Sequence, residues 1–197
     1  MKKNAELYKF YLNLDRALFI DNESSKAYAN CDNALPIECG QTISQPSLVY
    51  SMTNFLDLEK THRVLEIGTG TGYQTAFISE FSDTVYTVER IEELGIRAKG
   101  RLESLGYHNI FYKIGDGCEG WVEHSPYDRI IVTAASRKIP ESLLNQLALN
   151  GKMVLPVGIT GRQDLLLIVK DEFGNITEEH LGYVTFVELK GAYGWDN

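Results

Sequence analysis

Cysteine is scarce and unpatterned in this chain. Cys31, Cys39 and Cys118 are odd in number and contain no C-x-x-C pair, so neither a disulfide framework nor a structural zinc site is indicated. A reducing compartment suits such usage. Long apolar runs are also missing, and without about 18 consecutive apolar residues no membrane-spanning helix is expected. Lys2 and Lys3 could open a secretory leader, but Glu6, Lys9, Asp15 and Arg16 break up any apolar stretch behind them. The expectation is a soluble, unprocessed, cytoplasmic protein. There is no Lys/Arg block either, and 27 acidic residues against 19 basic ones leave a formal charge of -8. Affinity for nucleic acid comes largely from neutralising phosphates, so this balance argues against a nucleic-acid partner. No internal repeat or low-complexity segment occurs.

What is present is ordinary globular composition, 44% hydrophobic and 23% charged over 197 residues, enough for one domain with a real core. Leu7, Phe10, Tyr11, Leu14 and Leu18 recur at helical spacing and predict an amphipathic helix over Glu6–Phe19. Residues 20–40 read as an irregular connection, of a length that is usually functional or disordered. Pro46 opens a further helix through Leu48, Val49, Met52, Phe55 and Leu56, with Ser44 and Gln45 as its caps or as neighbours of an anion held on its N–H groups. Strands then alternate with helices: strands at 63–67, 84–89, 109–114, 128–134 and 152–157, helices at 73–81, 91–105 and 140–149. That alternation predicts an α/β fold with a doubly wound, mostly parallel sheet. Segments 164–170 and 181–189 add an antiparallel C-terminal hairpin.

Chemistry concentrates at Arg63–Gly72, where a short apolar strand ends in Gly68, Gly70 and Gly72. Glycines there let the backbone turn sharply into a helix and approach a ligand closely. Glu89 closes the next strand at about the 20-residue offset from which an acid reaches ribose hydroxyls. Asp116, followed by Gly117, closes the third strand on the same edge of the sheet. A dinucleotide turn reads G-x-G-x-x-G, whereas here the order is Glu66-x-Gly68-x-Gly70-x-Gly72. An acid just before the turn disfavours a pyrophosphate and suits a cationic ligand, although it could equally pair with a neighbouring side chain.

That spacing resembles the first motif of class I S-adenosylmethionine-dependent methyltransferases. The wider pattern is similar to the protein-L-isoaspartate O-methyltransferase family over roughly residues 16–158. It includes Ala34-Leu35-Pro36-Ile37, Gly40-Gln41-Thr42-Ile43-Ser44-Gln45-Pro46, Val88-Glu89-Arg90, Gly115-Asp116-Gly117, Pro126-Tyr127-Asp128 and Leu155-Pro156-Val157-Gly158. The resemblance implies a seven-stranded Rossmann-like sheet and S-adenosyl-L-methionine as cofactor. It also implies methyl transfer to the carboxylate of L-isoaspartyl and D-aspartyl residues in damaged proteins or peptides. Ser44 is then the catalytic candidate, and Gln41, Thr42 and Ile43 join it as substrate-binding residues. Glu66, Gly68, Gly70, Gly72, Glu89, Asp116 and Gly117 are the cofactor-binding candidates, with no metal. The single domain would divide into an N-terminal helix and active-site loop (1–46), a cofactor-binding core (47–158) and a C-terminal hairpin and tail (159–197), acting as a monomer.

The chain departs from the family pattern at Glu38, where glycine is usual, and at Glu188, where proline is usual. An acid near the entry could repel a carboxylate substrate. Tyr193 and Trp195 read as packing aromatics or as cleft aromatics. Two rivals therefore stand beside the principal reading: a carboxyl methyltransferase for another peptide or small molecule, and a non-catalytic cofactor-binding protein. Amino methylation of nucleic acid is disfavoured, because Thr133-Ala134-Ala135-Ser136 lacks the Asn/Asp-Pro-Pro-aromatic signature.

Overall fold

A computed structural model describes residues 2–191, so the expectation for Tyr193 and Trp195 lies outside the described residues. Helix α1 (Lys2–Asn13) stops short of Phe19, and a separate 3-10 turn spans Arg16–Phe19. Asp15 makes the break: its carboxylate accepts the Ala17 N–H at 2.9 Å, capping the new turn. In consequence Arg16 leaves the register of α1 and is buried, 4% exposed.

The connection that follows is more ordered than its composition predicts. It contains α2 (Glu23–Lys26), capped by the Asn22 side chain, and a small antiparallel ribbon of β1 (Leu35–Pro36) with β2 (Thr42–Ile43). Helix α3 (Pro46–Leu56) begins as predicted with proline in its first turn.

The main sheet takes its strands from β3 (Arg63–Ile67), β4 (Thr84–Glu89), β5 (Ile110–Ile114), β6 (Tyr127–Val132), β7 (Leu147–Ile159), β8 (Arg162–Lys170) and β9 (Ile176–Val184). Helices α4 (Tyr73–Phe81), α5 (Glu92–Ser104) and α6 (Glu141–Gln146) lie in the connections. The order β5-β4-β3-β6-β7-β8-β9 is parallel from β5 to β7 and antiparallel across β8 and β9. The predicted doubly wound α/β sheet is therefore present, and its direction of winding reverses between β3 and β6. Ligands of open α/β sheets bind at the carboxyl ends of strands at such a reversal.

Strand periodicity sorts the core. Leu65, Ile67, Ile130 and Val132 pack on one face, while Val64 and Ile131 pack on the other against Met52 and Leu56 of α3 and Ile78 of α4. Glu66 shares the face of Val64, so burial of its carboxyl follows from the same alternation.

Boundaries in the second half of the chain also differ from prediction. The helix begun after Pro140 ends at Gln146, not Leu149, because Leu147 already pairs with Tyr127. The Gln146 amide is drawn away to the Trp121 N–H and the Glu119 carbonyl, both at 2.8 Å. The last strand runs over 176–184, not 181–189. Its Thr177, Glu178, Glu179 and His180 are exposed at the sheet edge, and polar residues on an edge discourage further pairing but offer no apolar alternation to read. Residues 185–190 leave the sheet instead, and the Ala135 N–H donates to the Val187 carbonyl at 2.8 Å.

Candidate active site

The three glycines do different work. Gly70, at φ 53, faces open space, so its missing side chain keeps the cleft clear. Gly72, at φ 86, would place a Cβ 2.8 Å from Leu102 Cδ1; it serves the packing of α4 on α5 and does not face the cleft. Gly68 lines the cleft beside Thr133, whose hydroxyl donates to the Gly68 carbonyl at 2.7 Å. Glu89 fixes the turn from the end of β4: one oxygen accepts the Gly70 N–H at 2.8 Å and the other the Ile91 N–H at 2.9 Å. Only 7% exposed, its carboxylate keeps its remaining lone pairs on the cleft wall.

Ile67, Val88, Ile91 and Leu94 supply apolar walls on either side of Glu89, and Gly117 closes the cleft opposite them. A Cβ at Gly117 would drive into Ile67, so glycine holds the two strand ends together. Asp116 itself does not face the cleft; it accepts the Cys118 N–H at 2.8 Å and lies against Gly191. A carboxylate set between apolar walls, beside a turn kept free of side chains, fits a nucleoside-bearing cofactor.

Glu66 lies behind the glycine turn, fully buried and outside the cleft. One carboxyl oxygen accepts the Thr75 and Thr87 hydroxyls, each at 2.7 Å, while the other has no partner. Desolvation pushes its pKa up to about 8 against the pull of those two hydroxyls, with the Glu89 charge adding to the rise. Thr87 is also 2.6 Å from the Thr69 hydroxyl, so this buried acid supports the turn through a chain of hydroxyls.

The Gln41–Ser44 loop crosses the front of the cleft. Gln41 and Thr42 line it; Thr42, Ile43 and Ser44 line a small inner hollow with Gly68, Gly70 and Thr133; and Thr42 and Ser44 also line an outer groove. Thr42 therefore borders all three spaces, and Ser44 separates the inner hollow from the outer groove. Among the described residues the Ser44 hydroxyl makes no hydrogen bond. Gln45 occupies the cap position of α3 without capping it. That function falls to Asp32, which accepts the Ser47 N–H at 2.9 Å and the Gln45 amide at 3.0 Å. Desolvation opposes the Asp32 charge, yet those hydrogen bonds leave its carboxyl below the usual range.

Behind the loop lies Arg16. Its guanidinium donates to the carbonyls of Ala29, Cys31, Asn33, Ile43 and Ser44 at 2.9–3.4 Å. The apolar spacing of residues 7–18 gives Arg16 no role; the Asp15 break, itself an N-cap signal, is the local feature that sets it apart from the helix. Thr133 and the returning segment Val187–Lys190 are further cleft residues that sequence reasoning missed. Glu188 sits on the main cleft, not the outer groove, where the Thr160 hydroxyl at 2.6 Å and the Lys190 ammonium at 2.9 Å hold its pKa down. Its charge is compensated there. Glu38 lies in the turn before Gln41 and lines none of the three spaces.

The family described as protein-L-isoaspartate (D-aspartate) O-methyltransferase matches residues 1–193. A protein-L-isoaspartate O-methyltransferase of Dictyoglomus turgidum is 51% identical over 194 residues, covering 98% of this chain and 87% of that one. Among solved structures, a protein-L-isoaspartate O-methyltransferase superposes with a TM-score of 0.84 at 31% identity, over 98% of this chain and 66% of the other. A Plasmodium falciparum chain solved in complex with S-adenosyl-L-homocysteine gives 0.78 at 25% identity, over 94% of this chain and 90% of its own.

Proposed function

The chain belongs to the protein-L-isoaspartate (D-aspartate) O-methyltransferase family, and we propose how its residues divide the family's reaction among them. The activity is S-adenosylmethionine-dependent methylation of isoaspartyl carboxylates, the first step in repair of damaged proteins. When bound, S-adenosylmethionine supplies a methyl group carried on a sulfonium. Glu89 accepts hydrogen bonds from the ribose, the walls formed by Ile67, Val88, Ile91, Leu94 and Gly117 enclose the nucleoside, and Gly68 and Gly70 keep the backbone clear of side chains.

The acceptor needs no general base. A carboxylate with a pKa near 4 is already the nucleophile at neutral pH. What remains is to hold it in line with the methyl group at about 3–3.5 Å and to keep water away. Ser44 does the first by offering a free hydroxyl between the outer groove and the inner hollow; Thr42 and Ile43 do the second by covering the hollow. The observation that carries this reading is that Thr42 and Ser44 line both the inner hollow and the outer groove, since methyl transfer requires donor and acceptor to meet where the two spaces adjoin.

Among the described residues no helix is long and apolar enough to cross a membrane. The protein acts as a cytoplasmic monomer on peptide and protein substrates, without nucleic acid, and divides into an N-terminal helix and active-site loop (1–46), a cofactor-binding core (47–158) and a C-terminal hairpin and tail (159–197). The decisive experiment is methyl transfer from labelled cofactor to an isoaspartyl peptide and to its aspartyl twin. Methylation of the first alone is expected, and cofactor binding without methylation of either would overturn the reading.

A further inference from the structure

Among the described residues, the outer groove that leads to Ser44 has one charged residue on its walls, and it is a cation. Ala34, Ser44, Ser47 and Leu48 form one side; Gly161 and Arg162 from the start of β8, with Tyr183–Phe186 from the end of β9, form the other. Arg162 is exposed and, among the described residues, has no ion pair. Its guanidinium lies over the Tyr183 ring, 4.8 Å from the centroid. Stacking occupies the face of a guanidinium and leaves its in-plane N–H donors free, the fork that matches a carboxylate.

The support behind it is layered. Arg162 and Asp164 share a face of β8, and Tyr183 pairs across the ladder with Asp164. His180 packs edge-on against Tyr183 at 5.0 Å and is held by Asp164 at 3.0 Å, so the acid on the same face of β8 is already engaged with another partner. A stacked arginine supported in this way loses less rotamer freedom on binding than an unsupported one. In a chain of net charge -8, a lone supported cation on the approach to the acceptor site is a local reversal of sign that a charged substrate would feel.

We propose that Arg162 is a specificity-determining residue that reads a second acidic group on the substrate, the side-chain carboxylate of a residue flanking the isoaspartyl one. The proposal rests on the assignment of the outer groove to the peptide substrate. It makes acidic segments of damaged proteins the favoured substrates, with the isoaspartyl carboxylate at Ser44 and the flanking carboxylate on Arg162.

The test is a set of isoaspartyl peptides carrying Glu or Gln at each of the two positions on either side, assayed with the wild-type protein, Arg162→Ala and Arg162→Glu. For wild type, kcat/KM should favour Glu over Gln about 1.5-fold to fivefold at one or more positions, the range of an exposed ion pair. The preference should arise in KM and should shrink in 0.5 M salt, where the Debye length is about 4 Å. Arg162→Ala should bring the ratio to about one and Arg162→Glu should invert it. Because each ratio is taken within one protein, a variant of reduced overall activity still reports. Equal kcat/KM for Glu and Gln peptides in the wild type, or a preference that survives Arg162→Ala, overturns the proposal alone. Failure to methylate even the neutral isoaspartyl peptide overturns the functional reading and this inference with it.

Discussion

A free hydroxyl where two spaces adjoin can orient an acceptor without being consumed, and that is the position of Ser44. Ser44→Ala should lower kcat by about 10-fold to 100-fold, the effect of losing one orienting hydrogen bond to a charged group. Affinity for S-adenosyl-L-homocysteine, measured by calorimetry, should stay within a factor of two, since Glu89 and the glycine turn are untouched; unchanged turnover would remove Ser44 from the mechanism. Glu66 invites a different measurement. Its folded pKa of about 8 lies above the ordinary 4.5, so between those values the folded protein holds a proton that the unfolded chain releases. Stability contributed by this group is therefore full below about pH 4.5 and falls as pH rises toward 8, at up to about 1.4 kcal/mol per pH unit. Glu66→Gln keeps an acceptor for the two threonines and abolishes the ionisation. Its melting temperature should gain on the wild type steadily from pH 5 to 8, whereas parallel curves would show that Glu66 ionises without cost. Placing an acid before the turn was possible from sequence, but its role was not: the two-residue period of β3 turns it into the core, away from the cleft, where a threonine chain takes the place of a ligand.

At the scale of elements, the unit that matters is the connection between α1 and α3. Its ribbon of β1 and β2 has few residues and little apolar area, so it depends on Arg16 and Asp32 at its two ends. Arg16→Lys would keep the charge but reach fewer carbonyls, leaving several without a donor. The expected result is a loss of about 1–3 kcal/mol of stability, with kcat reduced more than affinity for the cofactor. Faster amide exchange should be confined to residues 29–44; uniform acceleration throughout the chain would mean that Arg16 supports the whole fold and not the loop. Elements with strong periodicity, such as α3, α4 and β3 to β6, were legible from the sequence to within a residue or two. Those decided by a single tertiary contact were not. Leu147 is a strand residue because Tyr127 is beside it, Arg16 is buried because Asp15 interrupts a helix, and the last strand is polar because it is an edge.

For the whole molecule, the cofactor cleft draws its walls from segments far apart in the chain. Gln41 and Thr42 come from the loop, Gly68 to Leu94 from β3, β4 and the connections after them, Gly117 from the turn after the edge strand β5, Thr133 from the end of the central strand β6, and Val187–Lys190 from the segment after the last strand. The same distribution explains why the glycine turn was readable and the C-terminal wall was not, since a wall made by a returning chain has no local signal. It also has a thermodynamic consequence. A ligand that touches all of these segments binds the folded state and has no site in the unfolded one, so its binding free energy adds to the stability of the entire cooperative unit. At S-adenosyl-L-homocysteine concentrations of about 100 times Kd the added stability is about 2.7 kcal/mol, which for a domain of this size raises Tm by about 5–10 °C. Glu89→Ala removes both the proposed ribose acceptor and the anchor of the Gly70 and Ile91 amides. At the same ligand concentration it should shrink that rise to less than half, in a scanning fluorimetry titration run beside the wild type. A full rise in Glu89→Ala would mean that the cofactor is held by the loop and the C-terminal wall, and that the carboxylate at the end of β4 serves the turn alone.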